Sequence, residues 1–148
     1  MNDSKLKALI EKISFEYFNK PFVGNAKFNG RLRTTGGRYI PSQNIIEINP
    51  KYLHELGEED LIGIIKHELC HYHLHIAGKP YNHRSKEFRE LLRKTGSPRF
   101  CRMLPSEEQK KRIKYKCETC GTEYQRKRRI NLNKYRCGKC RGKLKLIN

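Results

Sequence analysis

His67-Glu68-Leu69-Cys70-His71 is the stretch on which the reading of this chain turns. Histidines at i and i+4 lie on one helical face, one turn apart, where both imidazoles reach a single zinc at about 2.0–2.1 Å. Glu68 stands beside them, able to serve a reacting water without ligating the ion. The flanks read as a helix. Glu58, Glu59 and Asp60 suit the positive end of a helix dipole, and Leu61, Ile64, Ile65, Leu69, Tyr72 and Ile76 recur at helical spacing. Gly78 and Pro80 stop the run. Two imidazoles and a carboxylate left unpaired on such an apolar helix would be costly, and a shared metal removes the cost.

A catalytic zinc takes three protein ligands and keeps one position open. The neighbouring donors are His73, His75, His83, Glu87 and Glu90. His73 falls roughly 200° round the helix from His71, and His75 lies about 12 Å along the axis from His67, so neither shares the ion. Both are expected at the surface or behind the ligands. His83 can fold back across the Gly78–Pro80 break, which makes it the third ligand. In such a site Glu68 takes a proton from water and later delivers it to the leaving amine, and peptide hydrolysis is the natural reaction. Tyr81, Tyr72 and Arg38 are alternatives for the oxyanion partner, and the sequence does not choose among them.

Around this helix the chain predicts a mixed α and β domain. Leu6, Leu9, Ile10, Ile13 and Tyr17 mark an amphipathic helix capped at Asp3 or Ser4 and closed before Pro21. Alternation from Ala26 through Phe28, Gly30 and Leu32 to Thr34, a turn at Gly36-Gly37, and the segments Arg38–Ile40 and Ile46–Ile48 predict two or three antiparallel strands joined by short turns. A third helix begins at Ser85, buries Phe88, Leu91 and Leu92, and ends at Gly96.

The C-terminal part has a different chemistry. Cys117-x-x-Cys120 and Cys137-x-x-Cys140, separated by 16 residues, match the template of a four-cysteine zinc ribbon. Residues 106–148 carry 15 basic and 4 acidic side chains, a net of +11 within a chain total of +18, so the boundary is placed near Pro105, giving units 1–105 and 106–148. Lys127, Arg128, Arg129, Arg136, Lys139 and Arg141, with Lys134, Lys143 and Lys145, surround the cysteines. Tyr115, Tyr124 and Tyr135 are interleaved with them. Such a surface suits phosphate neutralisation with occasional base stacking, and DNA is expected before RNA. Cys70 and Cys101 are left over and are expected to be buried, inert thiols.

The H-E-L-C-H helix, the Gly78-Lys79-Pro80 break, His83 followed by Phe88, Gly36-Gly37-Arg38-Tyr39 with Ile46-Glu47-Ile48-Asn49, and the terminal four-cysteine ribbon together resemble the SprT family, specifically its bacterial members. The resemblance covers nearly the whole chain and lies in the order and spacing of these motifs. It implies an α+β minimal zincin domain followed by a β-rich ribbon. His67, His71 and His83 match the family's zinc ligands and Glu68 its catalytic acid. The family includes the eukaryotic protease Spartan, which cleaves proteins crosslinked to DNA. Arg84 stands where many relatives have Gly after the third histidine. Leu74 and Ala77 stand where a metzincin needs Gly and His, which excludes that subclass.

Length and composition narrow the remaining classes. With 148 residues the chain is too short for a large multi-domain enzyme. No apolar run approaches the roughly 18 residues of a membrane span, and the charged start through Lys12 lacks the centre of a secretory signal, so a cytoplasmic protein with no membrane partner is expected. The expected function is a zinc metallopeptidase holding two zinc ions, one catalytic and one structural. Its substrate is a protein or peptide, and the ribbon brings it to nucleic acid or nucleic-acid-bound proteins. The alternative is a non-enzymatic nucleic-acid-binding protein with two structural zinc sites, the first completed by a fourth ligand such as Glu87.

Overall fold

The computed structural model describes residues 1–106, 113–126 and 128–147. Lys127 and residues 107–112 of the polar run after Pro105 lie outside the described residues. The chain divides into two compact units, Met1–Leu104 and Pro105–Asn148.

The first unit is assembled around one long helix. α1, Asp3–Ile13, is capped by Asn2, whose side chain accepts from Lys5 N–H, one residue earlier than expected. Asp3 instead accepts from the Phe28 N–H at 3.0 Å, tying the helix start to the first strand. α1 runs on into a π-helical turn, Ser14–Phe18, ending at Asn19 in the left-handed conformation. The wider π turn rotates the face, so Tyr17, expected inside, is 42% exposed and Phe18 packs against the core in its place.

The strands β1 Asn25–Phe28, β2 Gly37–Ile40 and β3 Ile45–Ile48 form a sheet in the order β1-β3-β2. β2 is antiparallel to β3, but β1 is parallel to it, which corrects the all-antiparallel expectation. Alternation specifies which face of a strand is buried, not the direction of its neighbour. β1 also stops at Phe28, well before Thr34. The intervening loop is held by the buried Asn49, whose amide donates to the carbonyls of Leu32, Arg33 and Thr35. Nor is Gly36-Gly37 a turn. A Cβ at Gly36 would stand 2.6 Å from Cys101 Sγ and 2.9 Å from Ile64 Cδ1, and one at Gly37 would stand 3.0 Å from Ile64 Cγ2, so these glycines let the edge strand approach the long helix.

A helix that the sequence patterns do not announce, α2 Pro50–Leu56, follows directly, with Asn49 accepting from Lys51 N–H and Pro50 in the first turn. The Asn-Pro pair is a helix-start signal, here hidden because Pro50 also ends a strand pattern. α3, Glu58–Ile76, buries Leu61, Ile64, Ile65, Leu69 and Tyr72 against α1, the sheet and α2, while Ile76 is exposed. Its other side packs Cys70 and Leu74 against Phe88 and Leu92 of α4, Lys86–Thr95. α4 starts at Ser85, whose hydroxyl accepts from Phe88 N–H, and stops at Gly96 with φ +65°; Leu91 is half-buried.

The second unit is a three-stranded antiparallel sheet, β4 Ile113–Cys117, β5 Glu123–Arg126 and β6 Leu144–Ile147, in the order β5-β4-β6. Its small core is Cys117, Cys137 and Leu144. Among the described residues no helix is long and apolar enough to cross a membrane.

Candidate metal centres and cleft

α3 presents His67 and His71 on one face, and the loop after it returns His83 to them. Gly78, at φ +71°, and the bond from Lys79 N–H to the Leu74 carbonyl close the helix. Asn82 then turns the chain by accepting from the N–H groups of Arg84 and Ser85. His83 Nε2 comes to 3.2 Å from His67 Nε2 and 3.1 Å from His71 Nε2. Tetrahedral zinc at about 2.05 Å from each nitrogen requires separations of about 3.3 Å. The other ring nitrogens are spoken for: His67 Nδ1 donates to the Pro98 carbonyl at 2.9 Å and His71 Nδ1 to the Tyr81 carbonyl. Those bonds leave both Nε2 lone pairs aimed at the centre. Phe88 lies beneath, its ring centroid 4.2 Å from His71, 5.2 Å from His83 and 5.3 Å from His67.

Burial lowers the His67 pKa and pulls His71 down to about 4, the neighbouring imidazoles adding to the effect and the two carbonyls opposing it. Neutral imidazoles are the form that ligates. Glu68 is 6% exposed, lines the same cleft, and burial raises its carboxyl to about 8. The cleft has a volume of about 690 Å³. It is bounded by the β2 residues Gly37, Arg38 and Tyr39, by Tyr81 and Asn82, and by the segment Pro98–Cys101. Of the described His, Cys, Asp and Glu residues, only His67, His71 and His83 bring donors within 4.8 Å of one another here. Glu87 does not join them, and Glu90 faces Lys86 at 3.8 Å.

Several expectations change. His73 is buried, not at the surface. Its Nε2 lies 2.7 Å from Ser14 Oγ and its ring 4.9 Å from Phe18, so it fastens α3 to the π turn. His75 is half-buried, with Nδ1 2.7 Å from the Tyr39 hydroxyl and its ring beside Tyr81. Tyr72 belongs to the core and accepts from Val23 N–H, whereas Tyr81 and Arg38 do line the cleft. Cys70 is buried as expected, and burial pushes its thiol up to about 11. Cys101 is exposed at the cleft, contrary to expectation. No sequence motif marks the segment Pro98–Cys101 as part of the site; Phe100, 77% exposed, is its clearest sign.

In the ribbon, Cys117, Cys120, Cys137 and Cys140 bring their sulfurs within 4.8 Å of one another, with Cys117–Cys140 at 3.4 Å and Cys120–Cys137 at 3.6 Å. Four sulfurs at about 2.3 Å from zinc would stand near 3.8 Å apart. Cys120, Lys139 and Gly142 N–H groups point at sulfurs from 3.4 Å. The Tyr124 hydroxyl, 3.1 Å from Cys137 Sγ, helps to pull that thiol down to about 6. The donor sets, three imidazoles and four thiols, are both those of zinc.

Arg128, Arg129, Arg136, Lys139 and Arg141 are exposed. Tyr115 is buried, its hydroxyl accepting from Ile130 N–H, and Tyr124 is committed to the metal cage. Of the three tyrosines only Tyr135 remains exposed for stacking, with Lys134 Nζ 5.6 Å from its ring.

Comparison with known proteins agrees with this architecture. The SprT-like family model matches residues 6–114 and the SprT-like zinc ribbon domain matches residues 111–148. "Protein SprT-like" of Oceanobacillus iheyensis is 58% identical over 146 residues, 99% of this chain and 97% of that protein. The protein of the same name from Bacillus cereus strain B4264 is 54% identical over 149 residues, 100% of this chain and 98% of that protein. Among solved structures, the crystal structure of the metallopeptidase zymogen of Pyrococcus abyssi abylysin aligns with a TM-score of 0.45 and 21% identity, over 60% of this chain and 77% of that one. With its α+β first unit and four-cysteine ribbon, this chain belongs to the SprT-like family.

Proposed function

We propose that the protein is a zinc-dependent metallopeptidase whose basic ribbon takes it to nucleic acid, DNA in preference to RNA, or to proteins bound there. The observation that carries the peptidase reading is the donor count. Three imidazoles converge at the foot of an open cleft beside a buried glutamate, and three is the number for a catalytic zinc whereas four is the number for a structural one. No observation favours the non-enzymatic alternative, because the Glu87 carboxylate stays outside the histidine set.

Zinc held by His67, His71 and His83 supplies Lewis acidity. The chain's own residues do the rest. β2 is an edge strand, paired only with β3 among the described strands, and it borders the cleft, so an extended peptide can lie along it and exchange main-chain hydrogen bonds. Glu68 takes the proton from the attacking water and returns it to the leaving amine. Burial raises its pKa to about 8, close to the working pH, where a carboxyl group can both take up and give back a proton. Arg38 and Tyr81 stand at the cleft as donors for the developing oxyanion.

Glu68→Gln tests the role. The variant is expected to keep two zinc ions and its fold while hydrolysis of a DNA-bound protein substrate falls by at least about 100-fold. Loss of zinc from the histidine site would show Glu68 to be a ligand, and undiminished hydrolysis would remove it from the chemistry.

A further inference from the structure

Gly63 lies in the interior of α3, where glycine is among the least favourable residues for a helix. It precedes His67 by one turn and shares its face. A Cβ at Gly63 would stand 3.1 Å from Pro98 Cγ and 3.4 Å from Pro98 Cδ. Pro98 is the residue whose carbonyl receives His67 Nδ1 at 2.9 Å. The bare α-carbon therefore sets how closely this carbonyl approaches the imidazole.

The segment that carries Pro98 is fastened at several points. Ser97 N–H donates to the Leu92 carbonyl at 2.9 Å. Arg102 grips Asp60 through both carboxylate oxygens, Nε to Oδ2 at 2.9 Å and Nη2 to Oδ1 at 2.7 Å. Leu104 is buried in the main core. Asp60, Gly63 and His67 follow one another at helical spacing along α3, so one helix face holds the strap and the metal-facing imidazole together.

We propose that Gly63 is a positioning residue for the histidine metal site: it seats the Pro98–Arg102 strap so that the Pro98 carbonyl fixes the tautomer and ring orientation of His67. The inference rests on the reading of His67, His71 and His83 as a metal site, and it reaches beyond the ligands to a residue that touches neither metal nor substrate. Partners of this kind, removed from metal-ligating histidines, change metal affinity by about 10–100-fold.

The test is cobalt(II) titration of the full-length protein, in which thiolate charge-transfer absorption marks the ribbon site and the histidine site is read from the ligand-field spectrum left after the ribbon's own bands, scaled to its charge-transfer intensity, are subtracted. Gly63→Ala is expected to weaken cobalt binding at the histidine site about 10-fold, Gly63→Val more, and Arg102→Ala about threefold, with the ribbon site unchanged in all three. The ligand-field bands of the bound cobalt should also shift in Gly63→Ala, which a change in global stability alone does not produce. The metal-free Gly63→Ala protein should melt no lower than the parent, since alanine is the better helix former and the exposed Pro98 has to shift by only a few tenths of an ångström while the Ser97 and Arg102 fastenings on either side hold. Weaker metal binding without a lower melting temperature separates positioning from folding, even if Gly63→Val folds poorly. Equal histidine-site affinity in parent and Gly63→Ala overturns the proposal, as does a loss shared equally by both sites. A parent protein that takes up no cobalt at the histidines overturns the metal reading itself, and this proposal with it.

Discussion

Glu47 carries a carboxylate into an almost dry position at the centre of the sheet, 2% exposed. Burial pushes its pKa up, but the Arg38 Nε bond, the Asn29 amide at 3.1 Å and Lys27 at 3.5 Å outweigh burial and hold it below the usual 4.5. A carboxyl whose folded pKa lies below its unfolded value stabilises fully above the unfolded value, and that stability disappears as pH falls through the folded one. Glu47→Gln is therefore expected to cost about 1–3 kcal/mol near neutral pH and progressively less below about pH 4.5. Urea unfolding across that window checks it, and a cost that stays constant down to about pH 3 would contradict the assignment. Because Arg38 borders the cleft, the same pair steadies the edge strand along which a peptide would lie.

The π turn Ser14–Phe18 explains why α1 and α3 meet as they do. Ser14 Oγ donates to the Lys20 carbonyl at 2.6 Å, so the bond at 2.7 Å to His73 is one in which His73 Nε2–H donates to Ser14. Burial, aided by Lys20, pulls His73 down to about 4 and keeps it neutral. Ser14→Ala strands that buried N–H and the carbonyl together, and is expected to destabilise the zinc-loaded protein by about 1–3 kcal/mol with an unchanged denaturant slope. Zinc affinity should stay as in the parent, because His73 leaves α3 on the side away from His67 and His71. Urea unfolding and metal titration of this variant give both numbers, and weakened metal binding would show that the two sides of α3 are coupled.

For the molecule as a whole, two separate donor sets predict two zinc ions per reduced chain, and Cys117→Ser should lose one of them. Elemental analysis settles the count, and one zinc in the intact protein would defeat it. The ribbon's net +11, lowered to about +9 by four thiolates and one zinc, predicts nucleic-acid binding through phosphates, with affinity falling steeply as salt rises. Reversing charge at Arg128 and Arg129, both exposed, should weaken binding and flatten its salt dependence by about one unit of slope for each phosphate no longer neutralised. Glu68→Gln should alter neither, and equally strong binding by residues 1–105 alone would move the basic footprint to that part of the chain.

His67 with His71, and the two cysteines within each C-x-x-C pair, were legible as neighbours in sequence because their spacing is local. His67 and His71 share a face whatever surrounds α3, and each C-x-x-C pair sits on one tight knuckle, so no distant partner has to be known. The helix starts at Ser85 and Glu58, and the stops at Gly78 and Gly96, were legible for the same reason. Other features depend on segments far apart in the chain. The parallel pairing of β1 with β3, the burial of His73 against Ser14 59 residues away, and the withdrawal of Tyr115 into the ribbon core each follow from a partner that periodicity does not name. Gly63 belongs with these: in sequence it merely interrupts an apolar run. Only the chain's return at Pro98, 3.1 Å from where its Cβ would be, shows why a side chain there would disturb His67.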